Sequence, residues 1–152
     1  AGLTVFANDA KTVYEMSQLT AESTFDYSLG EEMLWLAGHT GTNLQAGIRA
    51  GLADLEKAPD TIPQANRYLV LITDGRANFS RGGDPVEEAL RAARRVAEAH
   101  IPAVVIDTER QFVSLGLAAQ VAQVMGAPCY RVEELRARPL AQLVRGHSPA
   151  AG

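Results

Sequence analysis

The segment Tyr68-Leu69-Val70-Leu71-Ile72-Thr73 runs apolar and rich in strand-forming residues straight into Asp74-Gly75-Arg76-Ala77-Asn78. It is too short for a buried helix and ends on a turn signal, which predicts a strand. A near-continuous apolar strand belongs in a parallel sheet covered on both faces. It delivers a carboxylate, Asp74, to the carboxyl end of that sheet, where open α/β sheets keep their ligands. Upstream, Gly41-Thr42-Asn43-Leu44 opens a helical pattern. The Thr42 hydroxyl and the Asp74 carboxylate are therefore expected to meet above one sheet edge as two parts of a cation site.

The rest of the chain supplies the remaining layers. Leu3 to Phe6 and Lys11 to Leu19 read as antiparallel strands joined at Asn8-Asp9, a dipeptide suited to tight turns. Thr24 to Leu36 carries Phe25, Leu29, Met33 and Leu36 at roughly helical spacing, and a polar loop follows through His39. Leu44, Ile48, Leu52 and Leu55 predict an amphipathic helix capped by Asn43 or Thr42. After Gly82-Gly83, Asp84 is placed to cap the next helix, with Pro85 at its first position and Glu87 as a capping-box partner. Val86, Leu90, Ala93 and Ala97 mark the expected buried stripe. Ile101 to Asp107 predicts a buried strand, Leu115 to Met125 a helix stopped by Gly126, and Cys129 to Val132 a last short strand. A further helix is expected from Arg136, fraying near Gly146. This alternation gives an α/β fold with a mostly parallel sheet and an antiparallel edge strand. One domain is expected over residues 1–146, with a disordered tail at 147–152.

Charge and composition narrow the function classes. The chain has 152 residues, 47% of them hydrophobic, enough for one substantial core. A formal net charge of −4 gives no basic footprint for nucleic acid, and Arg91, Arg94 and Arg95 read as the wet face of a helix. No apolar run approaches the roughly eighteen residues of a membrane span. The one cysteine, Cys129, reads as a reduced, buried thiol and implies a cytoplasmic setting.

Each candidate residue also has a plainer role. A threonine at a helix start is commonly a cap, and Asp-Gly after a strand is commonly a turn. Asp107 ends a strand too, but with Thr108 behind it the structural role weighs more. His39 reads as an exposed loop residue, and His100 as a companion of a helix C-terminus. Neither has a second nitrogen or sulfur at metal-site spacing. Ser80 and Ser114 lack a Gly-x-Ser-x-Gly elbow, and Gly38-His39-Thr40-Gly41-Thr42 lacks the lysine of a phosphate loop. No catalytic residue and no nucleotide-binding or other cofactor-binding residue is assigned.

The order of a strand pair, a Gly-Thr-Asn-Leu loop, a helix and an apolar strand ending Ile72-Thr73-Asp74-Gly75 resembles the von Willebrand factor type A domain. More specifically, Asp74-Gly75-Arg76-Ala77-Asn78, Gly82-Gly83-Asp84-Pro85, Val104-Val105-Ile106-Asp107-Thr108-Glu109, Leu115-Gly116-Leu117-Ala118 and Tyr130-Arg131-Val132-Glu133-Glu134-Leu135 resemble the C-terminal domain of the magnesium chelatase D subunit and its close relatives. The resemblance runs from Leu3 to about Leu135. It implies a three-layer α-β-α, Rossmann-like domain with a metal-ion-dependent adhesion site, in which Thr42 and Asp74 would be the magnesium ligands and an acidic group of a partner would complete the sphere. It also implies a subunit with no activity of its own, working in an ATP-dependent magnesium chelatase of chlorophyll and tetrapyrrole biosynthesis. AAA+ ATPase subunits and a large porphyrin-binding subunit would be its partners.

The family's first strand carries an Asp-x-Ser-x-Ser motif, and none occurs here. The expectation is a fragment whose first strand is missing and whose magnesium binding is weak or absent, because the ion prefers six oxygens at roughly 2.0–2.1 Å. An adaptor for an AAA+ ATPase outside tetrapyrrole synthesis shares these features. A doubly wound enzyme for a small molecule shares the rhythm of elements but would need a phosphate loop or catalytic dyad.

Overall fold

The computed structural model describes residues 2–7, 9–14, 41–59, 63, 67–109 and 116–136. The expected helix at 24–36, the strand beyond Tyr14, His39, Ser114, the helix beyond Arg136 and the tail at 147–152 lie outside the described residues. By their contacts the residues gather into two compact units, Ala1–Thr61 with Ala77–Ala89, and Ile62–Arg76 with Leu90–Gly152.

In the first unit, β1 (Leu3–Phe6) and β2 (Ala10–Tyr14) form an antiparallel pair with Phe6 opposite Ala10. This is the expected hairpin. Helix α1 (Leu44–Glu56) buries Leu44, Ile48, Leu52 and Leu55, the stripe its spacing predicts. Asn43 is the cap: its Oδ1 accepts from the Ala46 amide at 3.0 Å, while its own amide donates to the Ala7 carbonyl at 2.6 Å. Gly47 lets α1 lie close to β1, since a methyl there would come 2.5 Å from the Phe6 ring. The Thr4 hydroxyl donates to Asp54 Oδ2 at 2.5 Å, a second tie between strand and helix.

In the second unit, β3 (Leu69–Thr73), β4 (Ala103–Asp107) and β5 (Cys129–Arg131) form a parallel sheet in that order. The described strands thus make two sheets, one antiparallel and one parallel, within an α/β arrangement. The central strand β4 buries Ala103, Val104, Val105 and Ile106. Helix α3 (Leu117–Met125) buries Leu117, Ala118, Val121, Ala122 and Met125, and Gly126 ends it in the left-handed region at φ 69°.

Three sequence expectations need correction. Strand β3 is covered on one face only: Leu69, Leu71 and Thr73 are buried, whereas Val70 is 37% and Ile72 57% exposed. Among the described strands it lies at the edge of its sheet, and local apolar character does not distinguish an edge from a centre. Cys129 is half-buried, on a three-residue strand that forms the opposite edge among the described strands. Helix α2 (Pro85–Glu98), along which the chain passes from one unit to the other, buries Ala89, Ala92, Ala93 and Val96, leaving Val86, Leu90 and Ala97 half-buried. Glu87, Arg91, Arg94, Arg95 and Glu98 all reach solvent, and together they set which way the helix is turned.

The Asp84 Oδ1 accepts from the Val86 and Glu87 amides at 2.8 and 3.1 Å, capping α2 as expected. At the other end His100 adopts φ 54°, a left-handed terminator more often supplied by glycine. No helix among the described residues is long and apolar enough to cross a membrane.

Candidate functional site

Thr42 belongs to the first unit and Asp74 to the second. Thr42 is held by its main chain. Its amide donates to Asn78 Oδ1 at 2.6 Å, and its carbonyl accepts from the Asn78 and Phe79 amides, both at 3.2 Å. Gly41 precedes it at φ 93°, and a methyl there would press on Phe79 Cβ at 3.2 Å, so glycine suits both the turn and the close approach. With Asn43 serving as the helix cap, the Thr42 hydroxyl is not used for capping and forms no hydrogen bond among the described residues. A fixed backbone with an uncommitted hydroxyl suits a ligand oxygen.

Asp74 follows the last residue of β3, with the carboxylate half exposed. Its Oδ1 accepts from the Arg76 amide at 3.0 Å, the side-chain turn expected of an aspartate before glycine, and Gly75 supplies φ 71°. Its Oδ2 lies 3.4 Å from Arg76 Nε, which also stands 4.0 Å from Glu109 Oε2. One strand over, Asp107 repeats the turn, its Oδ1 accepting from the Glu109 amide at 2.8 Å. Thr73 and Asp107 are register partners, and the Thr108 amide donates to the Thr73 carbonyl at 2.9 Å, so these two strand ends are tied together. Asp107 therefore has the turn-forming role that weighed more in the sequence.

The third strand brings a thiol at its start, Cys129, and a basic residue at its end, Arg131. The Arg131 Nη2 donates to the Glu109 carbonyl at 3.2 Å, and the Arg131 amide donates to Glu134 Oε2 at 2.8 Å. Burial pushes the Cys129 thiol above its ordinary pKa, and the negative charges of Asp107 and Glu134 push it further. Cys129 is thus a protonated thiol at neutral pH, with little nucleophilic character.

Sequence reasoning chose Thr42 and Asp74 but not the residues that hold them. Asn78 and Glu109 sit in polar loops with no periodicity, so only a three-dimensional partner reveals their roles, whereas the Arg76 amide takes part in the local turn at Asp74. The donors described here do not on their own fit a magnesium ion. Among the described residues no three His, Cys, Asp or Glu side chains are grouped so as to hold a metal. Asp74 is moreover already engaged by both the amide and the guanidinium of Arg76.

No family model matches the chain. An uncharacterized protein of Mycobacterium tuberculosis is 36% identical over 136 residues, which are 88% of this chain but 21% of that protein. An uncharacterized protein of Methanocaldococcus jannaschii is 28% identical over 134 residues, covering 80% of this chain and 71% of the relative. The chain thus spans about a fifth of the mycobacterial relative's length.

Proposed function

We propose that this chain is a non-catalytic protein-interaction domain of the von Willebrand factor A type, from a magnesium-chelatase D-type subunit in the cytoplasm. It would couple an AAA+ ATPase partner to magnesium insertion into a porphyrin held by a separate large subunit. The observation that carries this reading is Asp74, a half-exposed carboxylate at the carboxyl end of a parallel strand, in a sequence resembling that family. The uncommitted Thr42 hydroxyl supports it. The donor set described above is too small for magnesium, so tight binding would require the acidic and serine ligands of the family's Asp-x-Ser-x-Ser strand.

Calorimetry separates these statements. The 152-residue chain is expected to bind magnesium weakly or not at all. A longer chain carrying an Asp-x-Ser-x-Ser strand ahead of Ala1 is expected to bind it and to retain an AAA+ partner in a chelator-sensitive way. Asp74→Ala in the longer chain should abolish the magnesium-dependent part without unfolding it, since a strand-end carboxylate contributes little to the apolar core. Tight magnesium binding by the short chain would mean the ligands lie elsewhere. Partner binding indifferent to chelator would remove the ion from the mechanism.

A further inference from the structure

The first unit contains an open-sided cleft of about 750 Å³ between α1, the β1–β2 turn and the loop leading into α2. Small side chains make the room. Ala46 and Ala50 lie one turn apart on the α1 wall, and Gly82 opposite has nothing within 4 Å of where a Cβ would stand. The loop is ordered by its own bonds, Ser80 Oγ accepting from the Gly82 and Gly83 amides at 3.2 and 2.9 Å. Arg81 then reaches across to the hairpin turn, where its Nη2 meets Asp9 Oδ2 at 2.8 Å. The other Asp9 oxygen accepts from the Ala10 amide at 2.9 Å, so the Asp9–Arg81 pair is internally satisfied.

Two charges in the lining remain unanswered. Arg49, exposed on α1, and Glu88, half-buried in the first turns of α2, form no side-chain hydrogen bond or ion pair among the described residues, with each other or with anything else. The Glu88 carboxylate lies close to Gly83, where a methyl would come 2.5 Å from its Oε1, so the missing side chain there leaves it room. Aspartate, glutamate and two arginines balance in the lining, which argues against a strongly anionic ligand such as a phosphate. The cleft is in the size range of ligand sites, roughly 300–1,000 Å³, but its lining is too polar for a greasy small molecule.

We propose that this cleft receives a mixed-charge peptide segment of a partner protein, one acidic side chain pairing with Arg49 and one basic side chain with Glu88. Arg49 offers the flat two-pronged donor set that suits a carboxylate, and Glu88 offers a carboxylate acceptor for an ammonium or guanidinium. Such pairs at a rim give specificity and orientation more than affinity. The site stands independently of the magnesium reading, since it uses neither Thr42 nor Asp74.

The test uses the whole chain and an array of immobilised hexapeptides carrying one glutamate and one lysine at every spacing in a Gly-Ser background. All-glutamate, all-lysine and uncharged peptides serve as controls. Saturable binding is expected for a subset of mixed peptides at one spacing and order, with amide shifts in the NMR spectrum confined to the first turns of α1 and the loop at 80–83. Arg49→Ala and Glu88→Gln should each weaken it about tenfold, and both are placed where folding is spared. Ala50→Trp should block the cleft, whereas Arg94→Ala should change nothing. The proposal is overturned by no saturable mixed-peptide binding, by equal binding of the all-glutamate peptide, by inorganic phosphate competing as well as peptide, or by shifts that map elsewhere.

Discussion

Cys129 opens β5 with Asp107 on the neighbouring strand and Glu134 in the turn beyond it. Burial raises the thiol pKa first, and the two carboxylates add to it. The sign follows from which form the fold prefers. A raised pKa means the folded state favours the neutral thiol, so its contribution to stability is intact below the ordinary thiol range. It is lost as pH climbs from there through the higher folded value. Asp107→Asn separates the causes, because an asparagine can still accept the Glu109 amide while removing the charge. The pH midpoint of iodoacetamide alkylation should fall part of the way toward that of a free thiol, leaving the shares due to burial and to Glu134. A midpoint identical to the parent's would mean that Asp107 does not act on Cys129 electrostatically.

Elements were legible where their signals were local. The caps Asn43 and Asp84, the stop at Gly126 and the stripe of α1 all follow from residues a few positions apart. The turn of α2 was not, since its small alanines are compatible with more than one face and the five exposed charged residues decide between them. Gly47 is a case where propensity and packing oppose each other. Replacing an exposed helical glycine with alanine ordinarily gains about 1 kcal/mol. Here the added methyl would stand 2.5 Å from the Phe6 ring, and overpacking costs about 1–3 kcal/mol. Gly47→Ala is therefore expected to destabilise the protein in urea unfolding. Combined with Phe6→Leu, which makes room, its cost should shrink, a non-additivity that marks direct contact. Stabilisation by Gly47→Ala alone would show that the ring moves away freely.

At the scale of the whole molecule, sequence conveyed class better than arrangement. Alternating strands and helices implied an α/β chain with parallel pairing, and β3, β4 and β5 pair that way. The candidate residues were chosen from strand ends and helix starts, whereas Asn78 beside Thr42 and Glu109 beside Arg76 find these neighbours only in the folded chain. Nothing in Tyr68 to Thr73 distinguishes a central strand from an edge, because Ala103 to Ile106 is equally apolar. The consequence is a strand that is the edge of the described sheet and bears Val70 and Ile72 exposed on one face, and such edges invite association between chains. Ile72, at 57% exposure, has little core to lose. Ile72→Thr keeps the β-branched side chain that suits a strand while making the face polar. Its unfolding free energy should stay within about 0.5 kcal/mol of the parent. Self-association of the 152-residue chain, followed by sedimentation as concentration rises, should decrease. A large loss of stability would place Ile72 inside a packed layer, and unchanged association would locate the adhesive surface on another face.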